Sequence, residues 1–417
     1  MQSFPSHPRG TVAQVVLAIV GIVLYGLAGI LFLSSALSAG ADSGTALADQ
    51  ITSFSLSFTA FAACLLMIPS LVHATRPGRS APVAAVHRTL LISAVIGMIT
   101  WAGVVLFGDW LISTSAPPLL LPLLQVLAAG LPLWFIFSLA SGGLSAGSTQ
   151  RKWGILDFSL SVTPLAIIIL EFLLLVFFGL IILVGVLLQP GALNNIQSLA
   201  QNLQSLGNNP SLTDPLISQF GQSPEVLAGI LIFVSFLIPL LEEILKPLGL
   251  IVLANRKPTP SQGFVAGMLC GAAFAFLETS STLAGAGGAD WTVLAITRLG
   301  TGLLHITASG LVGWGLASAI TLKKRGRFWV AYLSAVALHG TWNAFAILMG
   351  YFPMLTGTIK PNLQVAAWLG NIAPFVLIAI SIGLVVILTL MNRKLRKEST
   401  TPPPIPLHAV FWHPVSK

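Results

Sequence analysis

LAGILIFVSFLIPLLEEILKPLGLIVLA, residues 227–254, is an apolar run whose second half contains two adjacent acids and a lysine. A hydrocarbon core about 30 Å thick is crossed by ~20 helical residues, so this run is long enough to span a membrane. Nine other stretches have the same character. The ten predicted spans lie at 12–36, 53–74, 89–109, 118–141, 163–189, 227–254, 262–283, 292–321, 329–349 and 369–391. The sequence therefore predicts an all-α, polytopic bundle of about ten transmembrane helices.

The composition agrees with a membrane protein along the whole chain. Hydrophobic residues make up 55% of it and charged residues 8%, whereas about 25% of a soluble domain is charged. Of the 20 Lys and Arg residues, 17 fall in the termini and in alternate loops. The positive-inside rule therefore predicts ten crossings with both termini in the cytoplasm. Topology accounts for the net charge of +8, and no nucleic-acid partner is predicted.

The spans and loops divide the chain into four predicted regions. They are an N-terminal five-helix membrane region (1–190), an extracytoplasmic loop (191–225), a membrane core with the last span (226–391) and a flexible, proline-rich cytoplasmic tail (392–417). We recognise no organelle-targeting signal, so the predicted location is the plasma membrane of a prokaryote, with the lipid bilayer as a partner.

Ionisable residues are concentrated in spans six to nine. A charge at the centre of a membrane helix costs ~2.5–3.5 kcal/mol on an insertion scale, so such groups are expected to face a protein interior or a wet cavity. They are Glu242, Glu243, Lys246, Glu278, Arg298, His305 and His339. The first five spans contain one mid-membrane acid, Glu171, which we expect to pair with a polar group of a neighbouring helix.

The spacing within the spans favours convergence of these groups. Glu242 and Glu243 precede Lys246 by four and three residues, so both acids can reach the lysine. His339 and Asn343 are four residues apart and share one helix face. In span eight, one face carries Arg298, Gly302, His305 and Ser309. Each of these helices is therefore predicted to present a polar stripe at membrane depth.

Span seven contains a ridge of small residues. Gly263, Gly267 and Gly271 repeat every four residues, a pattern that favours close contact between membrane helices. Glu278 follows Gly271 by seven residues and lies on the same face. It is therefore predicted to point at a neighbouring helix.

Peptide hydrolysis inside a membrane needs this kind of chemistry. A carboxylate in a low-dielectric site can serve as the base that activates a water. His and Asn side chains can stabilise an oxyanion, and a nearby Lys or Arg keeps a carboxylate ionised. Alternatively, Glu and His side chains hold a zinc ion that activates the water. A purely structural interpretation is that the groups form buried ion pairs that fix helix packing.

Four motifs in this order resemble the PrsW family of intramembrane proteases. They are EExxK at 242–246, FxxxE at 274–278, His305 with Thr307 and Gly310, and HxxxN at 339–343. The resemblance covers roughly residues 225–350. The family is distantly related to the CAAX-prenyl proteases and the bacteriocin-processing enzymes, which use EExxxR, FxxxH and HxxxN/D.

The resemblance implies an intramembrane endopeptidase that acts on membrane-anchored proteins. The implied catalytic residues are Glu242, Glu243, Glu278, His305, His339 and Asn343, supported by Lys246 and Arg298. Glu242 or Glu243 would supply the catalytic carboxylate, and Asn343 would assist the oxyanion or the water. Zinc (Zn2+), in the metalloprotease alternative, would be held by Glu243, Glu278, His305 and His339. The CAAX relatives are argued to be metal-free glutamate enzymes, so both mechanisms stay open.

Three other interpretations fit parts of the sequence. A proton- or ion-coupled transporter also carries intramembrane Glu, His and Arg, but here the cluster lies in one half of the chain only. An inactive scaffold of the same family would have lost an acid or a histidine, and none is lost. GxSxG at 143–147 is typical of a serine nucleophile elbow, but it lies in a Gly/Ser-rich loop. The motif HExxH of zincin metalloproteases and the motif GxGD of aspartyl intramembrane proteases do not occur in the sequence, which disfavours both of these protease classes.

Overall fold

The computed structural model describes residues 8–38, 46–75, 83–114, 120–145, 147–188, 197, 201, 221–252, 258–286, 290–355 and 359–400. Its α-helices are α1 (Pro8–Ser38), α2 (Ala46–Thr75), α3 (Val83–Ser113), α4 (Leu121–Ala140), α5 (Thr149–Leu187), α6 (Pro224–Ile232), α7 (Ile238–Leu245), α8 (Leu248–Val252), α9 (Pro260–Gly285), α10 (Trp291–Leu322), α11 (Arg325–Tyr351) and α12 (Gln364–Thr400). A π-helical segment, Phe233–Leu237, joins α6 to α7. Short 3-10 turns at Phe352–Met354 and Pro361–Leu363 connect α11 to α12.

Among the described residues, ten helical segments are long and apolar enough to cross a membrane. The predicted all-α polytopic bundle is therefore confirmed. Most of the spans bury few of their side chains within the protein, as expected of helices that face lipid. In the most apolar 18-residue stretch of α5 only 6% of the residues are buried, and large apolar side chains such as Phe172 and Phe177 are exposed there.

Helix α5 begins at Thr149, well before the predicted span 163–189. The additional turns carry Asp157, which is buried, and its carboxylate accepts a hydrogen bond from Ser70 Oγ at 3.0 Å. A buried carboxylate is tolerated when a donor satisfies it, so this polar turn packs in the protein interior.

Helix α12 is also longer than predicted, and the first residues of the predicted tail, 392–400, belong to it. Residues 401–417 and most of the predicted loop 191–225 lie outside the described residues.

Helices α9 and α10 form the centre of the bundle. In the most apolar 18-residue stretch of each helix, 78% of the residues of α9 and 72% of those of α10 are buried within the protein. The glycine ridge of α9 explains their close approach. A Cβ added to Gly267 would overlap the backbone carbonyl of Ser309, and one added to Gly271 would overlap that of His305. Only glycine allows this backbone-to-backbone contact, as predicted from the small-residue pattern.

The sixth span is a broken helix. The π-helical segment interrupts it after Ile232, and α7 ends at Leu245, directly before Lys246 and Pro247. Proline lacks a backbone N–H and clashes with the preceding helical turn, so the break at Pro247 is expected. The acidic pair therefore lies on α7, a short segment between two irregularities.

The N-terminal helices pack directly on the central pair. Helices α2, α4 and α5 contact α9, and α3 and α4 contact α10. Helices α11 and α12 cover the other side of α10. The site described below therefore lies between α5, α7, α9, α10 and α11.

Candidate active site

Lys246 lies at the centre of the polar cluster. Its side chain is completely buried, with Nζ 2.7 Å from Glu242 Oε2 and 2.7 Å from Glu243 Oε1. The same nitrogen lies 2.9 Å from His305 Nδ1 and 4.4 Å from the centroid of the Phe274 ring. The i,i+3 and i,i+4 spacings thus bring both acids to the lysine, as predicted from the sequence.

These contacts define the tautomer of His305. The ammonium of Lys246 can only donate, so Nδ1 of His305 accepts and its proton lies on Nε2. Nε2 then donates to Glu278 Oε2, which is 2.7 Å away. The same carboxylate oxygen lies 2.8 Å from Nη2 of Arg298. Glu278 and Lys246 therefore orient the His305 ring from opposite sides.

His339 reaches the cluster from α11. Its Nδ1 lies 2.9 Å from Glu243 Oε1 and 3.9 Å from Glu242 Oε2. The carboxylate can only accept, so Nδ1 carries a proton and, in the neutral ring, Nε2 keeps its lone pair. The rings of His305 and His339 meet edge to face, with centroids 5.0 Å apart.

Asn343 has a different set of contacts. Its Nδ2 donates to the backbone carbonyl of Val234 at 3.0 Å, within the π-helical segment. One turn earlier, Gly340 approaches the same segment so closely that a Cβ would overlap the carbonyl of Ser235. In this conformation Asn343 therefore fixes the backbone of the broken helix beside the acidic pair.

The two ends of the cluster differ in exposure. The side chain of Glu243 is completely buried, whereas that of Glu278 is 38% exposed and that of Arg298 is 12% exposed. The cluster is therefore least buried at its Glu278 end and most deeply buried at Lys246 and Glu243.

The donor set of the cluster fits a metal ion. The ligand atoms of Glu242, Glu243, His305 and His339 lie within 4.8 Å of one another, and all four side chains are buried. Carboxylates and imidazoles are the donors that zinc uses in many proteins. The Lys246 ammonium contacts three of these four side chains. Glu278, predicted as a ligand, lies outside the group and contacts the far side of the His305 ring.

Glu171 is the group whose role the sequence pattern did not reveal. It lies on α5, and its carboxyl group interacts with that of Glu242. The neighbouring polar group that we expected for Glu171 is thus an acid of the EExxK motif. A mid-membrane acid in an otherwise apolar span was the only sequence signal for this contact.

The GxSxG segment has no catalytic arrangement. Ser145 Oγ accepts a hydrogen bond from the backbone N–H of Gly147 at 3.1 Å. Gly143 and Gly147 have φ angles of 72° and 106°, which L side chains rarely adopt. The segment is therefore a tight local turn.

The comparisons with known proteins bear directly on this cluster. The family model described as PrsW family intramembrane metalloprotease matches residues 170–389, which is more than half of the chain. The chain belongs to the PrsW family. The match includes α7, α9, α10 and α11 completely, and it begins within α5, one residue before Glu171. No curated protein and no solved structure matches the chain. The PrsW assignment and the ten spans together make this a multi-pass membrane protein of an intramembrane protease family.

Proposed function

We propose that this PrsW protein is an endopeptidase that hydrolyses peptide bonds of membrane-anchored proteins, with Glu243 as the base that activates the water. The observation that carries the proposal is the difference in contacts between the two carboxylate oxygens of Glu243. Lys246 and His339 both contact Oε1, whereas Oε2 is buried and has no hydrogen-bond partner among the residues that the structure describes. A buried carboxylate oxygen without a partner needs a ligand, and a water there would face an ionised base.

The other residues have supporting roles in this proposal. Lys246 and Arg298 keep the carboxylates ionised, because each lies within 2.8 Å of one. His305 is held between Lys246 and Glu278, and His339 donates from Nδ1 to Glu243 Oε1, so both rings position the charged groups. A second proton on Nε2 of His339 would make this ring a donor to a developing oxyanion. Asn343 acts on the site through the carbonyl of Val234. Water enters from the partly exposed Glu278 end, and the substrate reaches the cluster from the bilayer.

The predicted location and topology belong to the same proposal. In this proposal the protein lies in the plasma membrane. Both termini lie in the cytoplasm, because the basic residues fall on one side of the spans. Membrane-anchored proteins are then the accessible substrates. The transporter and scaffold alternatives are not favoured, since a complete set of protease motifs converges on one buried site.

Reconstitution in liposomes tests the proposal. Purified protein is mixed with a library of single-span reporter proteins, and cleavage is followed by mass spectrometry. We expect specific cleavage by the wild type and none by the double variant Glu242→Gln/Glu243→Gln. A wild type that is folded but cleaves no reporter would contradict the proposal. His305→Ala, which removes the ring between Lys246 and Glu278, is expected to be inactive as well.

A strong chelator in the same assay separates the two mechanisms. Zinc, when bound, supplies Lewis-acid activation of the water, and Glu242, Glu243, His305 and His339 would hold it. Loss of cleavage with the chelator, and its return on addition of zinc, would indicate the metal mechanism. Unchanged cleavage would indicate that the carboxylate acts without a metal.

Lys246→Met provides a test of cation binding that does not depend on activity. Removing one partner of a buried ion pair costs ~3–5 kcal/mol, because the remaining charges are left unpaired. We expect a lower melting temperature in detergent without metal, and a partial return of stability when zinc is added. The control is Lys324→Met, at an exposed position, which is expected to leave both values unchanged. If zinc does not affect the stability of Lys246→Met, the cluster does not bind the ion in place of the lysine.

A further inference from the structure

A cavity lies on the side of α10 that faces away from the Glu–His cluster. It has a volume of about 740 Å³ and is bounded mainly by α4, α10, α11 and α12. Its α10 wall includes Gly300 and Leu303, whereas Arg298 and His305 occupy the opposite face of that helix at ~100° per residue. Because the two sites use opposite faces of α10, the cavity is separate from the candidate active site. We call this cavity the α4–α12 groove.

The wall of the α4–α12 groove is apolar along most of its length. Its side chains include Phe135, Trp342 and Leu377. Three hydroxyl groups that line it donate to carbonyls of their own helix, Thr297 to Val293 at 2.9 Å, Ser381 to Leu377 at 2.8 Å and Thr389 to Val385 at 2.8 Å. These hydroxyls are thus already satisfied, and the wall presents a hydrocarbon-like surface.

One end of the groove is basic and held in place. Arg393 and Arg396 line it there and are exposed. The preceding residue, Asn392, donates from Nδ2 to the carbonyls of Ala140 at 2.7 Å and Gly142 at 2.9 Å. These bonds attach α12 to the end of α4. The two arginines are therefore positioned by the fold at the mouth of the groove.

We propose that the α4–α12 groove binds an anionic phospholipid, with an acyl chain along the apolar wall and the phosphate between Arg393 and Arg396. Guanidinium groups bind phosphate oxygens in a planar, bidentate geometry. Basic pockets between transmembrane helices on the cytoplasmic side are suited to anionic headgroups. The arginine end is on the cytoplasmic side according to the distribution of basic residues. The apolar lining of the groove thus matches the acyl chain of a lipid, and the two arginines match its phosphate.

The size of the groove is that of a small-ligand site. Such cavities measure roughly 300–1,000 Å³, and the groove, at about 740 Å³, falls in this range. An acyl chain is therefore of a suitable size to occupy it.

Native mass spectrometry of the full-length protein tests the proposal. The protein in zwitterionic detergent is titrated with phosphatidylglycerol or phosphatidylcholine of the same chain length, and the bound lipid is counted. We expect preferential binding of phosphatidylglycerol. Arg393→Ala/Arg396→Ala should weaken it roughly 30-fold, as expected for two basic residues near the phosphate. Val385→Trp, which adds bulk to the apolar wall, should reduce the binding of both lipids.

Two matched variants control for general effects. Lys324→Ala/Arg325→Ala removes two exposed charges that do not line the groove, and Leu390→Trp adds an exposed tryptophan to α12 outside it. Both should bind phosphatidylglycerol like the wild type. Equal losses in the control and groove variants would overturn the proposal. So would displacement of the lipid by a single-span peptide that cross-links to the groove, because that outcome would assign the groove to a protein substrate. Size-exclusion profiles and melting temperatures establish that every variant is folded.

Discussion

Glu243→Gln is expected to reduce cleavage of any reporter substrate by roughly 10³-fold, the contribution of a well-placed general base. The amide has nearly the shape of the carboxylate but cannot accept a proton from water. Glu243 is completely buried and contacts both Lys246 and His339, so no bulk water can replace its function. The measurement is the initial rate of reporter cleavage in liposomes, compared with the wild type at equal protein content.

Two further variants make this result specific. Glu225→Gln changes an exposed acid at the N-terminal end of the same span and should leave the rate unchanged. Glu242→Gln should reduce the rate less than Glu243→Gln, because Glu242 lies 3.9 Å from His339 Nδ1 whereas Glu243 lies 2.9 Å from it. A Glu243→Gln protein that is folded and retains its rate would show that another group activates the water.

Gly271→Ala is expected to destabilise the protein by roughly 2–3 kcal/mol, in the range of overpacked cores, and to lower its activity strongly. The new Cβ would overlap the backbone carbonyl of His305, which cannot rotate away as a side chain could. Helices α9 and α10 must then separate at the residue that contacts both Lys246 and Glu278 at 2.9 and 2.7 Å. A displacement of about 1 Å at a reacting group can reduce the rate ~10²-fold.

Gly285→Ala is the matched control for this variant. It lies on the same helix, but among the described residues no atom outside its own stretch of helix lies within 4 Å of the position of its Cβ. Because alanine favours a helix over glycine by up to ~1 kcal/mol, the control should be as stable as the wild type or slightly more stable. Thermal unfolding in detergent measures both variants. If Gly271→Ala were as stable and active as Gly285→Ala, the close contact of α9 and α10 would not position His305.

The membrane architecture and much of the site could be predicted from local patterns. A span requires only a sufficient length of apolar residues, so ten spans were evident from the chain alone. Helical periodicity places Glu242 and Glu243 beside Lys246 without knowledge of any other helix. The glycine ridge of span seven likewise predicted a close helix neighbour, since small residues at a spacing of four have few other uses in a membrane.

Contacts between distant segments depended on the tertiary structure. Glu171 meets Glu242 because α5 packs against α7, and the spacing of residues within α5 contains no information about this pairing. The same is true of Asn343, which binds the carbonyl of Val234. Only a folded chain shows that this carbonyl belongs to a π-helical segment.

This difference between local features, which the sequence predicts, and contacts between distant segments, which it does not, has a physical reason. Membrane insertion and helix formation depend on hydrophobicity and hydrogen bonds within one segment, so the order of residues is enough to predict them. The choice of neighbours among ten helices depends on side-chain packing between segments far apart in the chain. The contact of Lys246 with His305, the partial exposure of Glu278 and the α4–α12 groove are consequences of that packing, and they exist only once the helices are assembled.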